Sequence, residues 1–240
     1  MNSASALVRK RGGSTIWIVT AAGLIALFAI AIVFTRPSST TGGAGTEQSE
    51  TQAVSVKGDS LPPLSDAGRD PAVGMSLPEV SGRSFDGTKV AVSNDGVAKV
   101  VVVGAHWCPH CQAEIPRLQE WIDRQGMPED VELVTLSTAV DPGQPNHPPS
   151  QWLEREGWTA PVIADDASGT TSKALGTSGF PFFVFVNADG TVHSRFAGEL
   201  PIDQFASTVA TLSHTTAKLR ARSFEDGPKF ALGFRRLRSL

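Results

Sequence analysis

The chain has two cysteines, and they stand three positions apart in the stretch Trp107-Cys108-Pro109-His110-Cys111. Such a pair suits a structural disulfide, a metal clamp or a working redox couple. A scaffold stapled by disulfides spreads more cysteines along its length. A bridge closing so short a loop also removes little entropy from the unfolded chain. The pair therefore reads as chemical. A β-branched run, Lys99–Val103, precedes it, and a helix is expected from just after Cys108 to about Gln125. A cysteine at a helix N-terminus meets free N–H groups and the positive end of the helix dipole. Both favour the thiolate, which is the nucleophile in thiol–disulfide exchange. Cys108 is thus the sulfur that attacks or is attacked, and Cys111, one turn inward, resolves the mixed disulfide. Pro109 suits the first helical turn, where its missing N–H is no loss. His110, protonated or hydrogen-bonding, favours the thiolate further. Each unit of thiolate pKa is worth about 1.4 kcal/mol, or roughly 30 mV in a two-electron couple, so Pro109-His110 tilts the pair towards oxidant. The plain alternative for His110 is a solvated side chain.

Metal is the main rival. His106, Cys108, His110 and Cys111 place four soft ligands within six residues, which would suit a copper-binding or copper-carrying protein. A helix beginning at Cys108 points neighbouring residues apart, however, and His147, His193 and His214 are isolated. No metal is expected, and no cofactor beyond the redox-active Cys108–Cys111 disulfide. A peroxidase site of the P-x-x-x-[ST]-x-x-C kind lacks its hydroxyl here, because Ala105 stands three residues before Cys108.

The elements that must position these residues follow from pattern. Val90–Ser93 and Val131–Val140 read as strands, and Ser150 caps a helix reaching Glu156. Pro161–Ala164 is a short strand followed by a helix near Ser168–Leu175. Phe182–Asn187 and Val192–Phe196 flank a hairpin turn at Ala188-Asp189-Gly190. Pro201–Leu212 carries Ile202, Phe205, Val209 and Leu212 at helical spacing. The order implies an α/β fold, a mixed central sheet flanked by helices.

Residues 16–34 form an uncharged run of 19 residues, preceded by Arg9, Lys10 and Arg11. As a helix it spans roughly 28 Å at about 1.5 Å per residue, close to a bilayer core. The flanking cations keep residues 1–15 in the cytoplasm. A cleaved signal peptide is the rival, but its Ala29-x-Ala31 pair lies inside the apolar run. Residues 35–71 are rich in Ser, Thr, Gly and acid and read as a flexible linker. The globular domain is expected over 72–213 and a basic, disordered tail over 214–240. Formal charge divides along the same lines: residues 37–217 carry 10 basic and 22 acidic groups, a net of −12. That argues against nucleic acid as a partner.

Trp107-Cys108-Pro109-His110-Cys111 resembles the W-C-x-x-C motif of the thioredoxin superfamily. Pro116 matches the proline inside that family's active-site helix, and Glu114-Ile115-Pro116 resembles the C-x-x-E-x-P pattern of membrane-anchored TlpA/ResA-type proteins. Phe180-Pro181, just before Phe182-Phe183-Val184-Phe185, resembles the superfamily's X-cis-Pro. The likeness covers roughly residues 72–213. It implies a thioredoxin-like fold preceded by one transmembrane helix, with Pro181 beside the disulfide, Phe180 pairing its backbone with substrate and Trp107 shaping the substrate surface. It implies a monomer anchored in the cell membrane, its catalytic domain extracytoplasmic. Its partners would be protein thiols and disulfides of exported proteins, and a membrane redox partner, either a quinone-linked oxidase or a thiol-reductant carrier. Two features depart from the pattern. Val102 stands where many thioredoxins carry a buried acid, which leaves Glu114 as the candidate proton relay, or else as a solvated helix carboxylate. The Pro-His dipeptide matches Dsb-type oxidases, whereas the 70-residue interval from Cys111 to Pro181 suits the TlpA layout. Dipeptide and frame point to opposite directions of electron flow.

Overall fold

A computed structural model describes residues 49–65 and 68–225, with the side chains of the last helix described to Ala217. The expected anchor at 16–34, the cytoplasmic end and the tail beyond 225 lie outside the described residues. Among the described residues, no helix is long and apolar enough to cross a membrane. A five-stranded sheet forms the centre, in the order β6-β5-β4-β7-β8. Its strands are β4 (Ala98–Gly104), β5 (Val131–Ser137), β6 (Val162–Ala164), β7 (Phe182–Val186) and β8 (Val192–Ala197). β4, β5 and β6 run parallel, while β7 is antiparallel to both β4 and β8. A second sheet joins β1 (Ser55–Lys57), β2 (Glu79–Arg83) and β3 (Lys89–Val92) in antiparallel order. The helices are α1 (Pro109–Gln125), α2 (Pro149–Arg155), α3 (Thr170–Ala174) and α4 (Ile202–Glu225).

Alternation along the central strands divides the core into two layers. Val101 and Val103 of β4, with Phe182 and Val184 of β7, pack with Val80, Val92 and Leu61. Val100 and Val102, with Phe183 and Phe185, pack with Leu118 of α1 and Phe205, Val209 and Leu212 of α4. Burial on both faces is why Val100–Val103 of β4 and the whole of β7 read as unbroken apolar runs rather than alternating ones.

The structure departs from expectation in three places. First, residues 49–65 are packed, although they fall in the stretch whose composition reads as linker. Leu61 is buried, its N–H bonds to the Ala174 carbonyl at 2.9 Å, and Ser55–Lys57 pairs with β2. Second, Ser150 does not cap α2. Pro148 holds the N-cap position, and Glu50 reaches across from the supposed linker to accept from the Ser150 N–H at 2.9 Å and its hydroxyl at 2.6 Å. Third, the final helix runs to Glu225, past the boundary at 213, and Thr216 is buried within it.

Arg195 of β8 is the clasp between the N-terminal segment and the sheet. Its fully buried guanidinium donates to both carboxylate oxygens of Asp70, at 3.0 and 2.6 Å. It also donates to the carbonyls of Pro62 (2.9 Å) and Leu175 (3.0 Å). Gly176 makes room for this junction: its φ is +68°, and a Cβ there would collide with the Pro62 carbonyl. Asp70→Ala strands the Arg195 charge in the core, and chemical denaturation should show a loss of about 3–5 kcal/mol. The Arg195 bond holds the Asp70 carboxyl below its ordinary range. Its contribution is therefore full above the unfolded-state carboxyl pKa, near 3.9, and is lost as pH falls through the lower folded value. Asp70→Asn should flatten the acid limb of the stability curve.

Candidate active site

β4 ends at Gly104, and the chain turns through Ala105, His106 and Trp107 into α1. Cys108 occupies the N-cap position with extended backbone (φ −74°, ψ 119°), and Pro109 begins the helix. Both cysteines are thiols. Cys108 is 6% exposed and Cys111 is 1% exposed. The Cys108 thiol donates to the Phe180 carbonyl oxygen at 3.5 Å. Phe180–Pro181 is cis and lies at the start of β7, with Pro181 buried. The ring of Phe180 meets Trp107 edge-on at 6.2 Å, and the Trp107 indole N–H donates to the Ala139 carbonyl at 2.7 Å. Trp107 and Phe180 are thus half-buried walls beside the sulfur. Cys111 packs below with Ile115, Trp152 and Leu153, and its sulfur faces Gly104. Burial pushes the Cys111 thiol far above its ordinary range; an Ala105 backbone contact pulls the other way, while Cys108 and Glu114 push it up further.

Glu114 is fully buried rather than solvated. Burial pushes its carboxyl up, opposed by Arg117, whose guanidinium is a very close partner. The Leu200 N–H donates to the same oxygen at 3.3 Å, and the other oxygen has no hydrogen-bond partner among the described residues. Arg117 also donates to Glu199, at 3.3 Å, and Glu199 accepts from His110 Nδ1 at 2.7 Å. His110 is exposed, and this nitrogen is spent on Glu199 rather than on the Cys108 sulfur. Pro116 lies within α1 without ending it.

His106 has a different task from the ligand considered for it. It is fully buried, its Nδ1 is 2.8 Å from the Pro145 carbonyl, and its Nε2 accepts from the Asp141 N–H at 3.2 Å. This assigns the neutral tautomer with the proton on Nδ1. Burial pushes its pKa down, which agrees. Together with the Trp107–Ala139 bond, the ring fixes the loop 139–148 against the site. With both His106 nitrogens engaged, the four soft ligands do not converge. Arg117 and Glu199 went unnoticed in the sequence. Arg117 is visible in principle, three residues after Glu114 on one helix face. Glu199 is 89 positions from His110, and one sequence alone does not connect them.

Residues 72–212 match the Redoxin family. The chain belongs to that family. Sporulation thiol-disulfide oxidoreductase A of Bacillus subtilis is 24% identical over 51% of this chain and 72% of its own length. The thiol:disulfide interchange protein DsbE of Yersinia pestis is 28% identical over 54% of this chain and 63% of its own. Two solved structures share the fold. A candidate DsbE-type protein from Chlorobium tepidum superposes with a TM-score of 0.50 at 18% identity, over 58% of this chain and 96% of that one. A candidate thioredoxin from Neisseria meningitidis gives 0.51 at 17% identity, over 65% and 98%. The fold is thioredoxin-like, and this Redoxin domain is a thiol–disulfide oxidoreductase.

The unequal burial of the two sulfurs has a direct readout. Brief treatment of the folded, reduced protein with iodoacetamide should add one adduct, on Cys108, with Cys111 modified only after unfolding. Intact mass and peptide mapping check this. Modification of Cys111 in the folded protein would contradict the described geometry.

Proposed function

We propose that the protein is a membrane-anchored, extracytoplasmic disulfide reductase acting on exported proteins, for instance on cysteine pairs of apocytochromes. One observation carries the direction: the His110 nitrogen that could favour the Cys108 thiolate is engaged by Glu199 instead. The Cys108 sulfur faces a carbonyl oxygen, which engages a thiol, and His110 is bound to Glu199. In this reading the Cys108 thiolate attacks one sulfur of a substrate disulfide. A mixed disulfide forms, and the first substrate sulfur leaves as a thiolate that takes a proton from water. Cys111 then passes its proton to Glu114 and attacks the Cys108 sulfur. The second substrate thiolate departs and is protonated. Two electrons have moved to the substrate, and the Cys108–Cys111 disulfide remains. A membrane thiol carrier returns the pair to dithiol. The uncharged run at 16–34, preceded by its cations, supports the setting, and the similarity to a thiol:disulfide interchange protein supports exchange with disulfides.

The backbone at Phe180 is available to pair with an extended substrate chain, and Trp107 with Phe180 gives that chain an apolar wall. Recognition of this kind tolerates many sequences, since main-chain bonds supply much of it.

The purified domain, equilibrated with glutathione, should show a reduction potential well below about −200 mV, and a value near −120 mV would make it an oxidant. Cys111→Ser should stall the cycle and trap substrate on Cys108, identifiable after reducing elution. Glu114→Gln should leave the first attack on a model disulfide unchanged and slow release of the mixed disulfide by about a hundredfold, as for loss of a general base. Equal slowing of both steps would remove Glu114 from the relay.

A further inference from the structure

We propose that Glu199 is a positioning residue that sets the redox potential of the site, by holding His110 away from Cys108 and offsetting the charge of Arg117. The inference rests on the reductase reading of the same site. Glu199 lies between β8 and α4, remote in sequence from the motif, and uses both carboxylate oxygens on α1. Oε1 meets His110 Nδ1 at 2.7 Å and Oε2 meets Arg117 Nη1 at 3.3 Å. Arg117 in turn binds buried Glu114. The chain His110–Glu199–Arg117–Glu114 therefore runs from the exposed dipeptide to the buried carboxylate whose charge is felt by Cys111.

Glu199 is held in its charged form by His110 first and by Arg117 as well. Its removal has two consequences of the same sign. The site loses one negative charge beside Arg117, which lies midway along α1 and keeps its Glu114 partner, and the His110 ring, 67% exposed, becomes free to rotate. His110 is two residues from Cys108, so a freed ring N–H can reach the sulfur. A neutral imidazole donates one N–H. A donor and the loss of one negative charge from the site both stabilise the thiolate, hence the reduced state, hence a more oxidising pair. In the native protein Glu199 cancels that tilt. This explains how a Pro-His dipeptide sits in a reductant frame.

The test is a double-mutant cycle on the full chain, with glutathione equilibrium constants for wild type, Glu199→Gln, His110→Gln and the double variant. Gln at 199 keeps a hydrogen-bonding oxygen and removes the charge, and Glu199→Ala removes both. Glu199→Gln should shift the equilibrium about tenfold towards oxidant, or about 30 mV. Glu199→Ala should shift it at least as far. His110→Gln should have little effect alone and should reduce the Glu199→Gln shift at least threefold. No shift in either Glu199 variant, or the same shift with and without His110, overturns the proposal. A residue that merely supports the fold would lower the melting temperature with the potential unmoved. The wild-type potential tests the reductase reading separately, because the difference between variants is read whatever its absolute value.

Discussion

The working parts depend on one constraint: α1 begins where a fully buried strand ends. β4 is held between β5 and β7 and is buried on both faces, so Gly104 has little freedom. The Cys108 N–H bonds to the Ala105 carbonyl at 3.1 Å, and the Thr138 N–H bonds to the Gly104 carbonyl at 3.0 Å. Downstream, Ile115 and Leu118 seat the helix in the core. The first sulfur is consequently at the rim and the second is beneath it. The difference in chemistry between two identical side chains comes from this placement alone. Burial penalises the charged form, so the inner thiol keeps its proton until a base is supplied. The outer thiol stands at the N-cap, where it meets the Phe180 carbonyl.

Legibility in the sequence followed the range of the interaction. The Cys108–Cys111 spacing, the helix after it and the β7–β8 hairpin are local, and each was readable with bounds close to those observed. The run 49–65 was not, because composition averages over a stretch, while packing needs only a few anchors. Leu61, with two half-buried valines and the Glu50 carboxylate, is enough once strand pairing satisfies the backbone. The extension of α4 was hidden for a related reason. Residues 213–216 look polar, yet the Thr216 hydroxyl donates to the Leu212 carbonyl at 2.9 Å and the Ser213 hydroxyl to Asp130 at 2.7 Å. Polar side chains satisfied in this way can be buried without loss. The Glu199 contacts join distant parts of the chain, and nothing in a single sequence marks them.

His106 shows how a motif's neighbour is misread from type alone. A histidine two residues before a reactive cysteine suggests a ligand or a base. Its ring instead satisfies one carbonyl and one N–H of the loop 139–148, whose Ala139 and Asn146 have positive φ values of 52° and 61°. Side chains with a Cβ adopt that backbone region only where surroundings compensate. The compensation here is the imidazole together with the Trp107 indole. The loop beside the site is thus anchored on the same turn that delivers Cys108.

The pairing of a buried thiol with a buried acid raises a question of proton affinity. In water a cysteine and a glutamic acid differ by roughly four units, so transfer between them costs about 6 kcal/mol. Burial raises Glu114, which narrows the gap, but it raises Cys111 as well. Arg117 restrains the rise of Glu114 and keeps the carboxylate available as an acceptor. The remaining difference depends on the catalytic stage. Cys108 is among the groups that push the Cys111 thiol up, through its own charge and its contact. Once Cys108 is bonded to a substrate sulfur it has no charge to offer, and that push ends. Cys111 thereby becomes easier to ionise at the stage when the proposed cycle needs it to attack. In the free dithiol its proton stays in place, so the resolving sulfur is restrained until a mixed disulfide exists to be resolved.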